Sequence, residues 1–376
     1  MRILHTVHLY APATGGSEEV VRQLSERLAL SGHEVTVATA HDPRRSPGPL
    51  NGVNVRGFRI AGNAVNGITG EAEAYQRFVL EGGFDLVMNY AAQSWATDLV
   101  LPLLDRLAAR KVMVPCGYSG LHDPAYAGYF TDLPASLAKY DALVYMSANT
   151  QDAVFGRDHG LKGKALLIPN GAGEEFDRPH PGFRERHGIG SRYLLVCVAN
   201  HTGIKGHGAV LDAFRRMRRR DATLAIIGNP VAPRLRPWRG CWWKCRARAA
   251  LTRGVAFFRD LPRDEVVSAL EAADLFLFAS PVECAPLVMY EAFASRTPLV
   301  TTRVGNVSDH AEVLRLVDGP ESMAAEANRL LDDDGARREL AGRAHALWKA
   351  SHTWGGIAGR YGELYRSLVE GRGIPE

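Results

Sequence analysis

Two glutamates eight positions apart, Glu283 and Glu291, and an upstream lysine, Lys205, are the side chains of this 376-residue chain best placed to do chemistry. Both carboxylates bound the stretch Glu283-Cys284-Ala285-Pro286-Leu287-Val288-Met289-Tyr290-Glu291. Directly before it, Ala273 to Ser280 is almost wholly apolar, which predicts a strand buried on both faces of a parallel sheet. The carboxyl end of such a strand is a ligand position. Pro286 suits the first turn of a following helix through Leu287, Val288 and Glu291 to Ala294. Unpaired backbone N–H groups near residues 285 to 288 then face the ligand and favour phosphate. The spacing excludes an i, i+4 pair: Glu283 falls in the loop before the helix, and Glu291 about one turn inside it.

Lys205 stands in Asn200-His201-Thr202-Gly203-Ile204-Lys205-Gly206-His207, which follows another apolar run, Tyr193 to Ala199. An ammonium between a strand's carboxyl end and a helix start can neutralise a diphosphate leaving group. Near the N-terminus, Gly15-Gly16-Ser17 separates a strand-like run (residues 2 to 7) from a helical pattern opening on Glu18 and Glu19. Ser17 is the expected N-cap there, and Gly15 and Gly16 let a ligand approach the backbone closely.

These loops need a scaffold of alternating strands and helices, and the rest of the chain supplies the pattern. Apolar runs at 85–88, 111–115 and 142–146 alternate with helical segments, as do those at 193–199, 223–228, 255–258, 273–280 and 298–302. Trp95 to Leu107 has helical spacing and reads as one core helix despite Pro102. The polar, Pro- and Gly-bearing segment from Ala172 to about Gly190 reads as a linker. The expected organisation is two α/β domains, 1–174 and 190–352, with an amphipathic C-terminal helix (353–376) packing back on the first.

The run Glu-Cys-Ala-Pro-Leu-Val-Met-Tyr-Glu-Ala-Phe-Ala from Glu283, followed by Thr297 to Thr302 and Val304-Gly305-Asn306, resembles the nucleotide-sugar signature of retaining glycosyltransferase family 4. The resemblance extends to residues 8–40 and over nearly the full chain, and is weakest over 42–80 and an insertion at 230–253. It implies the GT-B fold: two Rossmann-like parallel-sheet domains facing across a crevice. It also implies transfer of a sugar from a nucleoside diphosphate to an acceptor hydroxyl with retained anomeric configuration, by a front-face mechanism. Glu291 would bind ribose, and Lys205 with the amides around Ala285, Pro286, Leu287 and Val288 the phosphates. Glu283 would contact the transferred sugar, and Gly15 and Gly16 would face donor and acceptor. Two departures stand out. The family commonly has an arginine where this chain has Asn200, so His201 or the helix-end amides must compensate. It also usually has a histidine after the strand that Lys111 to Pro115 resembles, where this chain has Cys116-Gly117. His122, six residues later, reaches the site only if its loop folds back. An epimerase or hydrolase of the same fold, or a silent nucleotide-sugar-binding subunit, are the rival readings.

Composition narrows the setting. No apolar run is long enough for a membrane span, and residues 1 to 7 are broken by polar residues too soon for a signal peptide, so a cytoplasmic location is expected. Five cysteines do not make a disulfide framework. Cys241 and Cys245 supply only two metal ligands with no nearby histidine, and Asp332-Asp333-Asp334 reads as a solvated loop or helix cap, so no metal and no cofactor beyond the sugar nucleotide is expected. The formal charge of +4 hides an asymmetry: residues 215–253 carry net +11, leaving −7 elsewhere. Within 230–253, Arg234, Arg236, Arg239, Lys244, Arg246, Arg248 and Arg253 interleave with Trp238, Trp242 and Trp243. No nucleic-acid motif accompanies this charge. One reading is a solvated basic loop whose tryptophans cap the core; the sharper one is an anionic contact, to the inner membrane leaflet as a peripheral protein or to a phosphorylated lipid acceptor, the acceptor being otherwise a small molecule or lipid-linked glycan.

Overall fold

The computed structural model describes residues 1–230, 240–250 and 252–375. The chain divides into two compact units, Met1–Asn170 with Trp354–Glu376, and Gly171–Thr353.

In the first unit the strands are β1 (Arg2–Thr6), β2 (Glu34–Ala40), β3 (Asn54–Phe58), β4 (Ile60–Asn63), β5 (Gly67–Gly70), β6 (Leu86–Tyr90), β7 (Arg110–Val114), β8 (Ala142–Tyr145) and β9 (Ala165–Leu167). Seven form a sheet in the order β3-β2-β1-β6-β7-β8-β9, with every pairing parallel. β4 and β5 make a separate antiparallel hairpin. The helices are α1 (Gly16–Leu30), α2 (Ala72–Glu81), α3 (Trp95–Asp98), α4 (Ala127–Leu137) and α5 (Gln151–Asp158). Central strands such as β6 and β8 are buried along their whole length, as a sheet covered on both faces requires.

The single core helix expected over Trp95 to Leu107 breaks after one turn. Pro102 has no N–H to give the Asp98 carbonyl, and the chain tightens into i→i+3 bonds, Val100 N to Thr97 O and Leu103 N to Val100 O, both 2.8 Å. Its apolar side chains still fill the core, with Trp95, Ala96, Val100 and Leu104 all buried.

The second unit holds β10 (Tyr193–Val198), β11 (Ala222–Ile227), β12 (Val255–Phe258), β13 (Leu275–Phe278), β14 (Leu299–Thr302) and β15 (Arg315–Val317). They form one parallel sheet in the order β12-β11-β10-β13-β14-β15. Its helices are α6 (Phe183–Arg186), α7 (His207–Met217), α8 (Cys241–Ala249), α9 (Arg263–Glu271), α10 (Leu287–Ala294), α11 (Pro320–Asp332) and α12 (Asp334–Ser351). The segment read as a linker is part of this unit's core: Phe176 and Phe183 are buried among Val196, Phe276 and Trp348. Their apolar area outweighs the polar residues around them, which composition alone had emphasised. Asp333 caps α12, accepting from Ala336 N at 2.9 Å, while Asp332 pairs with Arg219 at 2.7 Å.

The last helix, α13 (Trp354–Val369), buries Trp354, Ile357, Ala358, Tyr361, Leu364, Tyr365 and Leu368, a helical stripe that packs against α1 of the first unit. Among the described residues no helix is long and apolar enough to cross a membrane.

His5 on β1 joins α1 and α13 to the sheet. Its Nδ1 lies 2.8 Å from Ser25 Oγ and its Nε2 3.1 Å from Tyr365 Oη. Full burial pulls this imidazole down from 6.5 to about 3, so the unfolded chain binds a proton there that the native state refuses. Stability from this site is therefore present above 6.5 and is lost as pH falls towards 3. Melting curves of the wild type and His5→Gln across that window check this. Acidification should cost the wild type more than the variant, and parallel losses would exclude His5 as a source of acid sensitivity.

Candidate functional site

In the second unit β10 and β13 are neighbours, yet the chain leaves β10 for β11 and reaches β13 only after β12. This reversal of direction is a topological switch point, where the loops from the carboxyl ends of adjacent strands diverge and leave a place for ligand. One loop carries Lys205 and the other Glu283. Lys205 Nζ donates to Glu283 Oε1 at 2.6 Å.

Backbone fit sets that pair. Gly206 has φ +67°, and a Cβ built there would lie 1.8 Å from the Ala279 carbonyl oxygen, so only glycine lets the loop lie against the end of β13. Ser280 Oγ is 3.2 Å from both the Ile204 and the Val282 carbonyl oxygens, lacing the two loops together. The loop after β14 supports the far side. Gly305 (φ +51°) packs on the Cys284 carbonyl, which accepts from Asn306 N at 2.9 Å, and Asn306 Nδ2 donates to Tyr290 Oη at 2.7 Å.

α10 begins at Leu287, with Pro286 at its N-cap rather than inside its first turn, and no side chain among the described residues caps it. The N-terminal amides around Leu287 and Val288, beside the buried Ala285, thus sit where an anion can be held. The helix is buried nearly all round from Met289 to Ala294, and Glu291 is its one charge. A carboxylate so enclosed needs a cation. Arg263 supplies it at 2.8 Å, its guanidinium lying 4.6 Å above the Phe176 ring and 3.7 Å from Glu175.

Asn200, which replaces the expected arginine, joins β10 to β11: its Oδ1 accepts from Asn229 N at 3.0 Å. His201 does not supply the missing charge. It is buried, stacked on His207 at 4.0 Å and edge-on to Trp242 at 4.9 Å, and burial pulls its imidazole down to about 4, which leaves it neutral. The expectation that no histidine completes a set with Cys241 and Cys245 is also overturned. His201, His207, Cys241 and Cys245 bring their ligand atoms within 4.8 Å of one another. The sequence signal was a histidine pair and a cysteine pair at ligand spacing, H-x5-H and C-x3-C, which are remote along the chain and close in space.

Of the basic insertion, Arg234, Arg236, Trp238 and Arg239 lie outside the described residues. Trp242, Trp243, Lys244, Arg246 and Arg248 lie on α8, whose Trp242, Cys245 and Ala249 face the core while Trp243 is exposed. Arg248 is held by Asp212 (Nε to Oδ1 3.0 Å), and Arg246 lies 5.9 Å over the Trp242 ring. Trp242 is thus a core residue and not part of an interfacial belt.

In the first unit the corresponding reversal lies between β1 and β6. Gly15 is the N-cap of α1 and Gly16 its first residue, so Ser17 lies inside the helix, with its Oγ 3.0 Å from Glu18 Oε2. The Glu18 carboxylate folds back over Gly15, occupying the space a Cβ would take, whereas Gly16 faces open space. Strained backbone collects at the ends of β6 and β7: Ala91, Gln93 and Cys116 have φ of +67°, +60° and +60°, followed by Gly117 at +77°. Such residues cost of order 1–3 kcal/mol each and concentrate at functional sites. Cys116 Sγ donates to Tyr90 Oη at 3.6 Å, and the Gly117 amide is taken by Asp152 Oδ2 at 2.9 Å. His122 is exposed in the turn beyond.

Both sheets and their order are those of GT-B glycosyltransferases. Over 98% of this chain and 99% of the other, the fold matches sucrose-phosphate synthase from Thermosynechococcus elongatus with a TM-score of 0.80 at 20% identity. It matches Anabaena HepE in complex with UDP-glucose with a TM-score of 0.76 at 16% identity, over 98% and 100% of the two chains. Two family profiles cover most of the sequence, "Glycosyltransferase Family 4" at residues 14–175 and "Glycosyl transferases group 1" at 192–333. The chain belongs to glycosyltransferase family 4. It is 31% identical to the D-inositol 3-phosphate glycosyltransferase of Corynebacterium urealyticum over 60% of its length, spanning 56% of that protein. It is 26% identical to the GDP-mannose-dependent alpha-(1-6)-phosphatidylinositol monomannoside mannosyltransferase of Mycolicibacterium smegmatis, over 98% and 92% of the two chains.

The two glycines beside the candidate loops should respond oppositely to one added methyl. Gly206→Ala forces a positive φ and a backbone clash, and should lose about 2 kcal/mol or more in urea denaturation. Gly16→Ala, with open space at its Cβ, should unfold with the wild type. Equal stability of all three proteins would show that the Gly206 contact does not constrain the loop.

Proposed function

We propose that this glycosyltransferase moves a sugar from a nucleoside diphosphate to an acceptor hydroxyl with retention of anomeric configuration. The observation that carries the reading is the Lys205–Glu283 pair across the switch point of the second sheet, in the loop that leads into the uncapped N-terminus of α10. A diphosphate there meets an ammonium and a row of backbone amides, which stabilise the charge that grows as the glycosidic bond breaks. Lys205 leaves Glu283 for the phosphates, and Glu283 turns to the hydroxyls of the transferred sugar. Glu291 accepts from the ribose hydroxyls, exchanging part of its contact with Arg263. Asn200, neutral and tied to Asn229, holds the loop without adding charge. Retention follows a front-face course in which the departing phosphate oxygen takes the acceptor proton, as family membership supports.

Gly16, whose Cβ position faces open space, is assigned to the donor, and Gly15, Cys116, Gly117 and His122 to the acceptor side. The names of the relatives support a phosphorylated inositol or an inositol lipid as the first acceptors to assay, with UDP- and GDP-sugars as donors.

Lys205→Ala and Glu291→Gln should each lower kcat/KM by roughly two orders of magnitude, because each removes a charge-assisted contact to the donor. The melting curve of Glu291→Gln should stay close to that of the wild type, since Arg263 is partly exposed, whereas Lys205→Ala leaves Glu283 unpaired and should melt earlier, so its kcat/KM is read at a temperature at which it is folded. Near-normal kcat/KM in either variant would remove that residue from the site. Proton NMR of the early product should show the donor's anomeric configuration, and an inverted linkage would rule out the front-face course.

A further inference from the structure

Among the described residues, one group of potential metal ligands draws together: His201 in the loop after β10, His207 at the start of α7, and Cys241 and Cys245 on the first turns of α8. From this geometry we infer that the second unit binds one Zn2+ through His201, His207, Cys241 and Cys245.

The distances fit a tetrahedral ion. Cys241 Sγ lies 3.6 Å from Cys245 Sγ and 3.7 Å from His207 Nδ1. Zinc bonds to sulfur and nitrogen imply tetrahedral edges of about 3.5–3.8 Å. All four ligand atoms lie within 4.8 Å of one another, a spread that closes onto one ion if the His201 ring turns. That ring is held by packing alone: it is 1% exposed, and neither of its nitrogens has a hydrogen-bond partner. Two orphaned nitrogens on an enclosed imidazole are rare in proteins, and a metal bond accounts for one of them. His207 is already oriented. Its Nε2 donates to the Ala199 carbonyl at 3.0 Å, which leaves the Nδ1 lone pair facing Cys241, as outer-shell carbonyls orient ligating histidines.

Donor softness selects the ion. Two thiolates and two imidazoles in a tetrahedron suit zinc, and with all four positions filled by protein the site is closed and structural. Two thiolates balance the ion's charge, so the site adds no positive field beside the phosphates and does not replace the arginine absent at Asn200. Its role is mechanical. It clamps the start of α8 to the seven-residue stretch from His201 to His207 that carries Lys205 and Gly206.

Zinc content of the purified full-length chain under reducing conditions tests this without any transferase assay, so its outcome is separate from that of the proposed activity. The wild type should hold about one zinc per chain, as isolated or after incubation with Zn2+ alone. Changing both Cys241→Ser and Cys245→Ser should lower that content roughly tenfold or more. Chelation should lower the melting temperature of the wild type and leave that of the double variant unchanged. If the double variant does not fold, Co2+ added to the apo wild type decides. Thiolate-to-cobalt charge-transfer bands with intense tetrahedral d–d bands support the site, and a weak octahedral spectrum overturns it. Reduced wild type that takes up no zinc, or a folded double variant that retains it, also overturns the inference.

Discussion

The loop bearing Lys205 can lie against the end of β13 only because residue 206 has no Cβ, and most of the candidate site follows from that contact. Gly206 sits under the Ala279 carbonyl, Ser280 bonds back to the same loop, and Lys205 is thereby delivered to Glu283. A parallel sheet gives this arrangement its direction, since every strand of the second unit points its carboxyl end to the same edge. Position across the switch point then comes from strand order, and chemistry from side chains at loop tips.

Charge compensation is the second theme. Glu283 lies in the loop before α10 and Glu291 within the helix, and each is paired with a cation, Lys205 for the first and Arg263 for the second. Burying a carboxylate without a partner costs several kcal/mol, so each of these acids is held in an ion pair. Arg263 also lies over the Phe176 ring, a cation–π contact made alongside its ion pair with Glu291.

Much of this was readable before the structure because buried parallel strands leave a strong mark. The apolar run before Glu283 is β13, the Pro286 punctuation opens α10, and Asn200 to His207 follows β10 as expected. Reading failed where the deciding contact is nonlocal or where composition misleads. β3 and the β4–β5 hairpin are half-exposed and Gly-bearing, so they carry no clear apolar signature. Phe176 and Phe183 were hidden in a polar segment, and Pro102 broke a helix whose periodicity was otherwise sound. His207 and Cys241 are 34 residues apart, and nothing local in either motif announces the other.

The position of α13 has a consequence for the order in which the chain matures during synthesis. Residues 171–353 form a continuous unit whose sheet is complete before Trp354 is made, whereas the first unit lacks α13 until residues 354–369 have emerged. His5 leaves the ribosome 360 residues before Tyr365, its partner. The unit that starts first is thus completed after the second, and a nascent chain carries the uncovered flank of α1 through the synthesis of residues 171–353.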